Sequence, residues 1–211
     1  MTEDFQKKLV WWDKDPGRLD MTHKIAQAML NRTSPRGTEV LLDYGTGTGL
    51  IALEFYHSVR KIVAIDSSKD MLAFLRKKLN TYSITTIETL EWSIGRDPSQ
   101  LPKFDIIIVS MTLHHVMDTV MAAEVFYSLL NPGGIIAVAD LDPDNGESHG
   151  PDMTVQNGFV WEDMKEIFKK AGFITIQFDN VATLTKASSK TGEIKDFPIF
   201  LMIAHKPKAG P

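Results

Sequence analysis

The stretch Val40–Leu50, with the sequence VLLDYGTGTGL, decides the fold of this chain. It begins as a short apolar run, which is typical of a buried parallel strand. Three glycines at every second position follow, and apolar residues then continue through Phe55 densely enough for a buried helix. Glycine permits positive φ angles and close approach of a ligand to the backbone. A helix N-terminus adds free N–H groups and the positive end of the helix dipole. The order of strand, glycine turn and helix therefore predicts the first βα unit of a nucleotide-binding sheet.

The spacing of the glycines disfavours two common nucleotide sites, the dinucleotide fingerprint and the P-loop. A dinucleotide fingerprint, Gly-x-Gly-x-x-Gly, would place its third glycine at position 50, which is Leu50. A phosphate-binding P-loop needs Gly-Lys-Ser/Thr, and the chain has no such tripeptide. A nicotinamide-dependent dehydrogenase is therefore only a distant alternative, which preferential binding of NAD would revive.

The composition indicates one ordinary globular domain, residues 1–211, with a formal net charge of −4. No block of Lys or Arg occurs, so no nucleic acid partner is expected. The chain has no cysteine, which excludes disulfides and thiol chemistry. The N-terminus lacks the apolar core of a signal peptide, and no apolar run approaches the ~18 residues of a membrane span. We expect a cytoplasmic protein that does not insert into membranes.

Apolar periodicity predicts five strands that alternate with helices, followed by two strands without a helix between them. The expected strands after the first cover residues 61–65, 84–90, 104–109, 135–139, 173–178 and 199–204, and the polar residues 185–196 are expected to form an exposed loop. The expected helices include residues 20–31, 118–130 and 160–171, and a capping box from Ser67 to Asp70 begins another. The fold class is therefore α/β, a Rossmann-like, doubly wound, seven-stranded and mainly parallel sheet with an antiparallel C-terminal hairpin. Residues 1–33 form an N-terminal helical cap, and residues 38–206 form the core.

In such a sheet the ligand lies beyond the carboxyl ends of the strands, at the topological switch point. Asp43 ends the first strand, where a carboxylate can stabilise the turn, bind a ligand ammonium, or do both. Asp66 ends the second strand, about 20 residues after the glycines, which is the spacing of a ribose contact. One carboxylate can hold both vicinal ribose hydroxyls. The competing interpretation of Asp66 is an N-cap of the helix that follows it.

Several motifs in this order resemble those of class I S-adenosylmethionine-dependent methyltransferases. The Gly-x-Gly-x-Gly turn preceded by Asp43 resembles their motif I. Phe104-Asp105 leading an apolar strand into the sequence LHHV at 113–116 resembles motif IV of the ubiquinone/menaquinone biosynthesis type. The segments LLNPGG at 129–134 and DLDPDNGESH at 140–149 resemble further segments of that type, although a Phe of the second is lost. Gly158-Phe159 and the sequence AGF at 171–173 fit as well, so the resemblance covers roughly residues 38–180.

This resemblance implies S-adenosylmethionine as cofactor and S-adenosylhomocysteine as product. It implies a cofactor site built from residues that follow successive strands: Asp43, Gly45, Thr46, Gly47, Asp66, Ser67, Glu91, Trp92 and Ser110. Glu91 and Trp92 could bind adenine, but the family commonly has Asp and a small residue there, and Trp92 could equally be a core residue.

The chemistry of this cofactor limits what the protein must supply. The methyl group is already activated on a sulfonium, so alignment and a cavity poor in water suffice. A base is needed only when the acceptor is protonated. His115 and His149 are the candidates, with His114 beside them; since adjacent residues seldom both face a pocket, at most one of His114 and His115 is expected in the site, and His115 is preferred. The alternative is that these histidines only pack or hydrogen bond within loops.

The remaining candidates are weaker. His23, His57 and His205 are interpreted as surface or structural residues. Asp140, Asp142 and Asn145 suggest a metal site, but nothing matches at the other expected strand end, so no metal is expected. In the resembling family the N-terminal segment caps the active site and helps to select the acceptor. The side chains of Trp11, Trp12, Met21 and Met29 suit that role, although Met21 and Met29 could equally pack on the sheet.

The leading interpretation is methyl transfer to a small-molecule acceptor by in-line displacement. A protein or RNA methyltransferase is less favoured, because the motif Asn/Asp-Pro-Pro-Tyr/Phe is missing after the fourth strand, where Ser110-Met111-Thr112 stands. The third alternative is a non-catalytic S-adenosylmethionine-binding or regulatory partner protein. Acceptor pockets are built from loops, so neither the acceptor nor its reacting atom follows from the sequence. Neither does the oligomeric state.

Overall fold

Seven strands form one sheet in the computed structural model, which describes residues 13–150 and 154–210. The strands are β1 (Val40–Tyr44), β2 (Lys61–Asp66), β3 (Ile87–Glu91), β4 (Phe104–Ser110), β5 (Leu130–Leu141), β6 (Ile174–Ala187) and β7 (Ile194–His205). The helices are α1 (Pro16–Thr33), α2 (Leu50–Phe55), α3 (Lys69–Thr81), α4 (Thr119–Leu129) and α5 (Trp161–Lys170), with short 3₁₀ turns at Pro98–Gln100 and Leu113–His115.

The strand order is β3-β2-β1-β4-β5-β7-β6. Strands β1 to β5 pair in parallel, whereas β7 pairs antiparallel with both β5 and β6. The direction of winding reverses between β1 and β4, which is the topological switch point where such sheets bind ligands. The predicted fold class is therefore confirmed, including the antiparallel hairpin at one edge.

The core lies on both faces of the sheet. Leu42 and Val109 pack on one face with Phe126 of α4, whereas Leu41 and Ile108 pack on the other. A parallel strand buried on both faces is apolar at most positions, which explains the apolar runs at 40–42 in β1 and 106–109 in β4.

Helix α1 begins earlier than the apolar periodicity predicts, at Pro16 instead of residue 20. The Asp15 side chain accepts a hydrogen bond from the Arg18 N–H at 2.7 Å, and proline suits the first helical position because it lacks an N–H. At its other end, Arg32 forms hydrogen bonds with Gln177, at 2.7 Å, and Asp179 of β6. The helix is thereby fixed against the edge hairpin.

The prediction that residues 185–196 form a loop is wrong. Thr185 pairs with Asp196 and Ala187 with Ile194, so the β6–β7 ladder continues almost to the turn. The Thr185 hydroxyl also donates a hydrogen bond to Asp196 Oδ1 at 2.6 Å. The segment is polar because this part of the hairpin is largely exposed, and backbone pairing does not require apolar side chains.

Three smaller differences concern where elements begin. Strand β3 begins at Ile87 instead of residue 84. Strand β5 begins at Leu130, which pairs with Phe104 before a register shift, instead of at residue 135. The N-cap of α3 is Ser68, whose hydroxyl accepts from the Met71 N–H at 3.3 Å, and not Ser67.

Candidate functional site

A cavity of about 570 Å³ lies at the carboxyl ends of β1, β2, β3 and β4. Its walls come from segments that the sheet topology brings to one edge: residues 43–48, 66–68, 92–94, 110–112 and 115–118. Helix α1 contributes Arg18, Met21 and Thr22 from a separate part of the chain. The cavity is thus built by the switch point of the sheet and closed in part by the N-terminal helix.

The glycine turn is tied to β2 and lies against the loop after β4. The N–H groups of Gly45 and Thr46 both donate to the carbonyl of Ile65, at 2.8 and 2.9 Å. Gly45 has a φ of +74°, and a Cβ placed on it would lie 2.1 Å from Cγ2 of Thr112. Gly47 has a φ of +54° and open space where a Cβ would stand, so its backbone faces the cavity.

Asp43 is buried beneath the turn and lines the cavity. Its carboxylate accepts a hydrogen bond from the Thr46 hydroxyl at 2.6 Å. Burial raises the pKa of Asp43 from 3.8 to about 7, the nearby charge of Asp66 adds to the rise, and the Thr46 hydrogen bond opposes it. A cationic group bound beside Asp43 would restore its ionised form.

Asp66 joins the glycine turn to the start of α3. Its Oδ2 accepts from the Gly47 N–H and its Oδ1 from the Ser68 N–H, both at 2.8 Å. A carboxylate offers about four lone-pair sites, so both oxygens retain acceptor capacity toward the cavity, which Asp66 lines. The N-cap of α3, which was the alternative role for Asp66, is Ser68 instead.

The end of β3 supplies an apolar wall. Trp92 is buried, lines the cavity with Ile94, and donates its indole N–H to the Asp97 carbonyl at 3.3 Å. Its ring meets Tyr44 edge to face, with centroids 6.3 Å apart. Glu91, in contrast, is not among the lining residues.

The Glu91 carboxylate is engaged elsewhere. It lies 3.7 Å from the Lys69 ammonium and 3.6 Å from the Arg96 guanidinium. Of the nine predicted cofactor residues, the other eight line the cavity. The geometry therefore does not support an adenine contact by Glu91. Successive side chains of a strand point to opposite faces of the sheet, so Glu91, the last residue of β3, and Trp92 point in different directions.

The loop after β4 places one of its two histidines at the cavity. His115 lines it, whereas His114 is buried and points to Asp140 of β5, with Nδ1 2.7 Å from Oδ1. The His114 backbone N–H also donates to Asp140 Oδ2, at 3.2 Å. Asp140 therefore fixes both the backbone and the side chain of His114, and this orientation leaves His115 facing the cavity.

Gln156 holds the same loop from its other side. Its backbone N–H donates to the His114 carbonyl at 2.8 Å. Its side-chain amide donates to the Val116 carbonyl at 2.6 Å and to the Thr119 hydroxyl at 2.9 Å. These bonds between distant segments immobilise the backbone around His115.

The electrostatic surroundings favour a neutral His115. Burial lowers its pKa, the neighbouring His114 adds to the fall, and Asp140 and Asp66 oppose it. A neutral imidazole can accept a proton, as a general base must.

His149, the other predicted base, does not line the cavity. Its ring centroid lies 4.7 Å from that of His114 and 6.2 Å from that of His115, and its Nδ1 lies 2.8 Å from the Ser148 hydroxyl. Burial lowers its pKa to about 4, and the nearby His114 and Lys186 contribute. His149 therefore stands behind the cavity wall as a neutral packing partner.

Five methionines line the cavity, of the ten in the chain: Met21, Met71, Met111, Met117 and Met121. Local patterns in the sequence give no signal for most of them, because they lie on four separate segments. Thr112 was also missed as a contact of the glycine turn, although its position directly after a central strand could have indicated it. Arg18 lines the cavity as well, and burial lowers the pKa of its guanidinium while Asp15 opposes the fall.

Two carboxylates that suggested a metal site have other partners. Asp140 binds His114, and Asp142 accepts from the Trp161 indole N–H at 2.7 Å. Within residues 13–150 and 154–210, no group of three or more His, Cys, Asp or Glu side chains is arranged to hold a metal ion.

In the same part of the chain, no helix has the length and apolar character needed to cross a bilayer. Trp11 and Trp12, expected to belong to a lid, lie outside the described residues.

Comparisons with known proteins agree with this geometry. The protein family described as "Methyltransferase domain" matches residues 42–136. An uncharacterized methyltransferase of Schizosaccharomyces pombe is 27% identical over 173 residues, covering 74% of this chain and 61% of that protein. A ubiquinone/menaquinone biosynthesis C-methyltransferase of Dinoroseobacter shibae is 29% identical over 125 residues, covering 56% of this chain and 49% of that protein. The chain thus spans about half to three fifths of the length of these two relatives.

The fold is shared with solved structures. The crystal structure of a SAM-dependent methyltransferase from Aquifex aeolicus is similar with a TM-score of 0.67 and 19% identity, over 94% of this chain and 97% of that one. At this identity the likeness shows the fold alone. Residues 42–136 thus match a methyltransferase domain, and the chain is similar in sequence to methyltransferases and in fold to a SAM-dependent methyltransferase.

Proposed function

We propose that this protein transfers the methyl group of S-adenosylmethionine to a small-molecule acceptor. The observation that carries the proposal is the convergence, around one cavity, of a buried carboxylate, an open glycine backbone, a second carboxylate and an apolar wall. These are Asp43, Gly47, Asp66 and Trp92, and they come from the ends of three adjacent strands.

The residues present fit the cofactor. Asp43 is desolvated and its pKa is raised to about 7, so a bound ammonium would relieve an unfavourable buried charge. Gly47 leaves room for the methionine portion against its backbone. Asp66 keeps acceptor capacity for ribose hydroxyls beside its two bonds to backbone N–H groups. Trp92 and Ile94 offer apolar surface suited to a planar base.

When bound, S-adenosylmethionine would supply a methyl group on a positively charged sulfur, and this sulfur is a good leaving group. The chain's own residues supply orientation and exclude water. His115 Nδ1 or Nε2 can hold a proton released by the acceptor, because its surroundings keep the imidazole neutral near pH 7. Asp140 and Gln156 position the loop that carries it.

A small acceptor is supported by the way the cavity is enclosed. Met21 of α1 lies on one side, and Met117 and Met121, near the start of α4, lie on the other. Methionine side chains are flexible and polarisable, and they adapt to small ligands of varied shape. The chain's net charge of −4 and its lack of basic blocks give no support to a nucleic acid substrate.

The test is a methyl-transfer assay with labelled S-adenosylmethionine and a cell extract that is divided by ultrafiltration into small molecules and macromolecules. Label that enters a small molecule other than S-adenosylmethionine, separated from it by chromatography, with wild-type protein and not with Asp66→Ala supports the proposal. Label entering only protein or RNA would overturn the small-molecule acceptor. Calorimetric binding of S-adenosylhomocysteine without transfer to either fraction would favour a non-catalytic binding protein, and absence of binding would overturn the proposal as a whole.

A further inference from the structure

Three segments that are distant in sequence meet at the side chain of Asp13. Its Oδ1 accepts a hydrogen bond from the Thr48 hydroxyl at 2.6 Å, and its Oδ2 accepts one from the Lys78 ammonium at 2.7 Å. Thr48 belongs to the glycine turn, and Lys78 belongs to α3. We call the contact of these three residues the Asp13 junction.

The junction differs from an ordinary surface ion pair by its burial. The side chains of Lys78 and Asp13 retain only 17% and 15% of their exposure, whereas those of the Lys61–Glu88 pair retain 39% and 65%. The Lys78 ammonium also lies 5.4 Å from the centroid of the Phe74 ring. Burial lowers the pKa of Lys78, and the hydrogen bond and charge of Asp13 oppose this fall. Removing one partner of such a pair leaves the other charge buried and unpaired, which is costly.

The junction also connects two walls of the cavity. Thr48 lines the cavity from the glycine turn. Asp13 stands two residues before Asp15, the N-cap of α1, and the next turns of that helix contribute Arg18 and Met21 to another part of the cavity wall. Neither Asp13 nor Lys78 lines the cavity itself.

We propose that Asp13 and Lys78 are positioning residues, which hold the start of α1 against the glycine turn and thereby set the affinity for the cofactor. The inference rests on the proposed function for the identity of the cofactor. Without Lys78, the Asp13 carboxylate would turn toward water, and the bond to Thr48 would be lost with it. The start of α1 would then move away from the opening of the cavity. Binding would have to order this segment again, and the entropy lost in doing so would weaken the affinity.

The experiment compares Lys78→Met, Asp13→Asn and the double variant with wild type. Lys78→Met keeps most of the length and apolar stem of the side chain, and Lys61→Met, in the exposed pair with Glu88, is the matched control. Calorimetry gives the dissociation constant of S-adenosylhomocysteine. Mass spectrometry gives the rate of tryptic cleavage after Lys14, Arg18 and Lys24, with and without this ligand.

We expect each single variant to weaken binding about tenfold and to accelerate cleavage in α1, while Lys61→Met changes neither. The double variant should weaken binding by less than the product of the two single effects, because the residues share one interaction. Folded single variants that bind within twofold of wild type, with unchanged cleavage, would overturn the inference and leave the junction only a stabilising contact.

A further pair of variants covers the case in which the single variants do not fold. Thr48→Ser keeps the hydroxyl that donates to Asp13, whereas Thr48→Val removes it at nearly the same volume. The junction predicts faster cleavage in α1 for Thr48→Val and near-normal cleavage for Thr48→Ser; equal rates would overturn it. Wild-type protein that binds no S-adenosylhomocysteine would overturn the proposed function instead, and the cleavage rates would still decide whether the junction holds α1.

Discussion

Asp66 Oδ2 accepts a hydrogen bond from the backbone N–H of Gly47 at 2.8 Å, although 19 residues separate the two in sequence. The carboxylate proposed to bind ribose therefore also shapes the glycine turn proposed to hold the other end of the cofactor. This link makes the two halves of the site depend on each other.

Asp66→Ala should weaken the binding of S-adenosylmethionine and S-adenosylhomocysteine about 10²- to 10⁴-fold. The change removes about two hydrogen bonds to a charged acceptor, worth about 3–6 kcal/mol in total. Isothermal titration calorimetry measures the effect. Glu88→Gln, an exposed change on β3, is the control and should bind as wild type does; affinity of Asp66→Ala within threefold of wild type would show that Asp66 does not contact the cofactor.

Gly45→Ala should destabilise the protein by about 3 kcal/mol or more. The new methyl group would lie 2.1 Å from Cγ2 of Thr112, in addition to the cost of placing alanine at a φ of +74°. Gly37→Ala is the matched control, because Gly37 has a φ of +86° and nothing within 4 Å of its Cβ position. Urea unfolding should give a loss of about 1 kcal/mol for that control; equal losses for the two variants would mean that the loop after β4 moves away from the turn without cost.

Binding of S-adenosylhomocysteine should weaken as the pH falls below about 7. The pKa of Asp43 is raised from 3.8 to about 7 in the free protein, and the ligand ammonium requires the ionised form, so affinity should fall toward tenfold per pH unit below that value. Calorimetry at pH 6 in buffers of different ionisation enthalpy should also detect release of a proton on binding. Asp43→Asn should abolish the pH dependence; affinity independent of pH from 8 to 5.5 in wild type would contradict a role for this carboxylate.

The same group affects the stability of the free protein with the opposite sign. The pKa of Asp43 is higher in the folded than in the unfolded protein, so the protonated carboxyl stabilises the fold. This stabilisation is complete below pH 3.8 and is lost as the pH rises to about 7. Asp43→Asn should therefore gain stability relative to wild type as the pH rises from 4 to 7. Urea midpoints across this range measure the difference, and parallel curves for the two proteins would exclude the raised pKa.

His115→Gln should separate catalysis from cofactor binding. S-adenosylhomocysteine should bind within threefold of wild type, while methyl transfer falls about 10²- to 10⁴-fold when the acceptor must lose a proton. His149→Gln is the matched control, because His149 does not line the cavity, and it should retain transfer. Unchanged transfer by His115→Gln would mean that the acceptor is already deprotonated or that another group takes the proton.

Local patterns in the sequence were sufficient to predict the fold class, the glycine turn, and the strand ends that carry Asp43, Asp66 and Trp92. Apolar runs, glycine and proline act through neighbouring residues, so their consequences follow without knowledge of the rest of the chain. The order of strands around the switch point then brings those strand ends to one edge. For this reason eight of the nine candidate cofactor residues line the cavity.

Only the tertiary structure decided which side chains meet. Asp140 of β5 turns His114 inward and leaves His115 at the cavity, Glu91 pairs with cations outside it, and Asp13 reaches Lys78 across 65 residues of chain. The polar hairpin of β6 and β7 forms because its backbone groups find partners in each other. Contacts of this kind depend on packing between distant segments, which no local periodicity encodes, whereas the strand, glycine turn and helix at Val40–Phe55 are recognisable from their own residues.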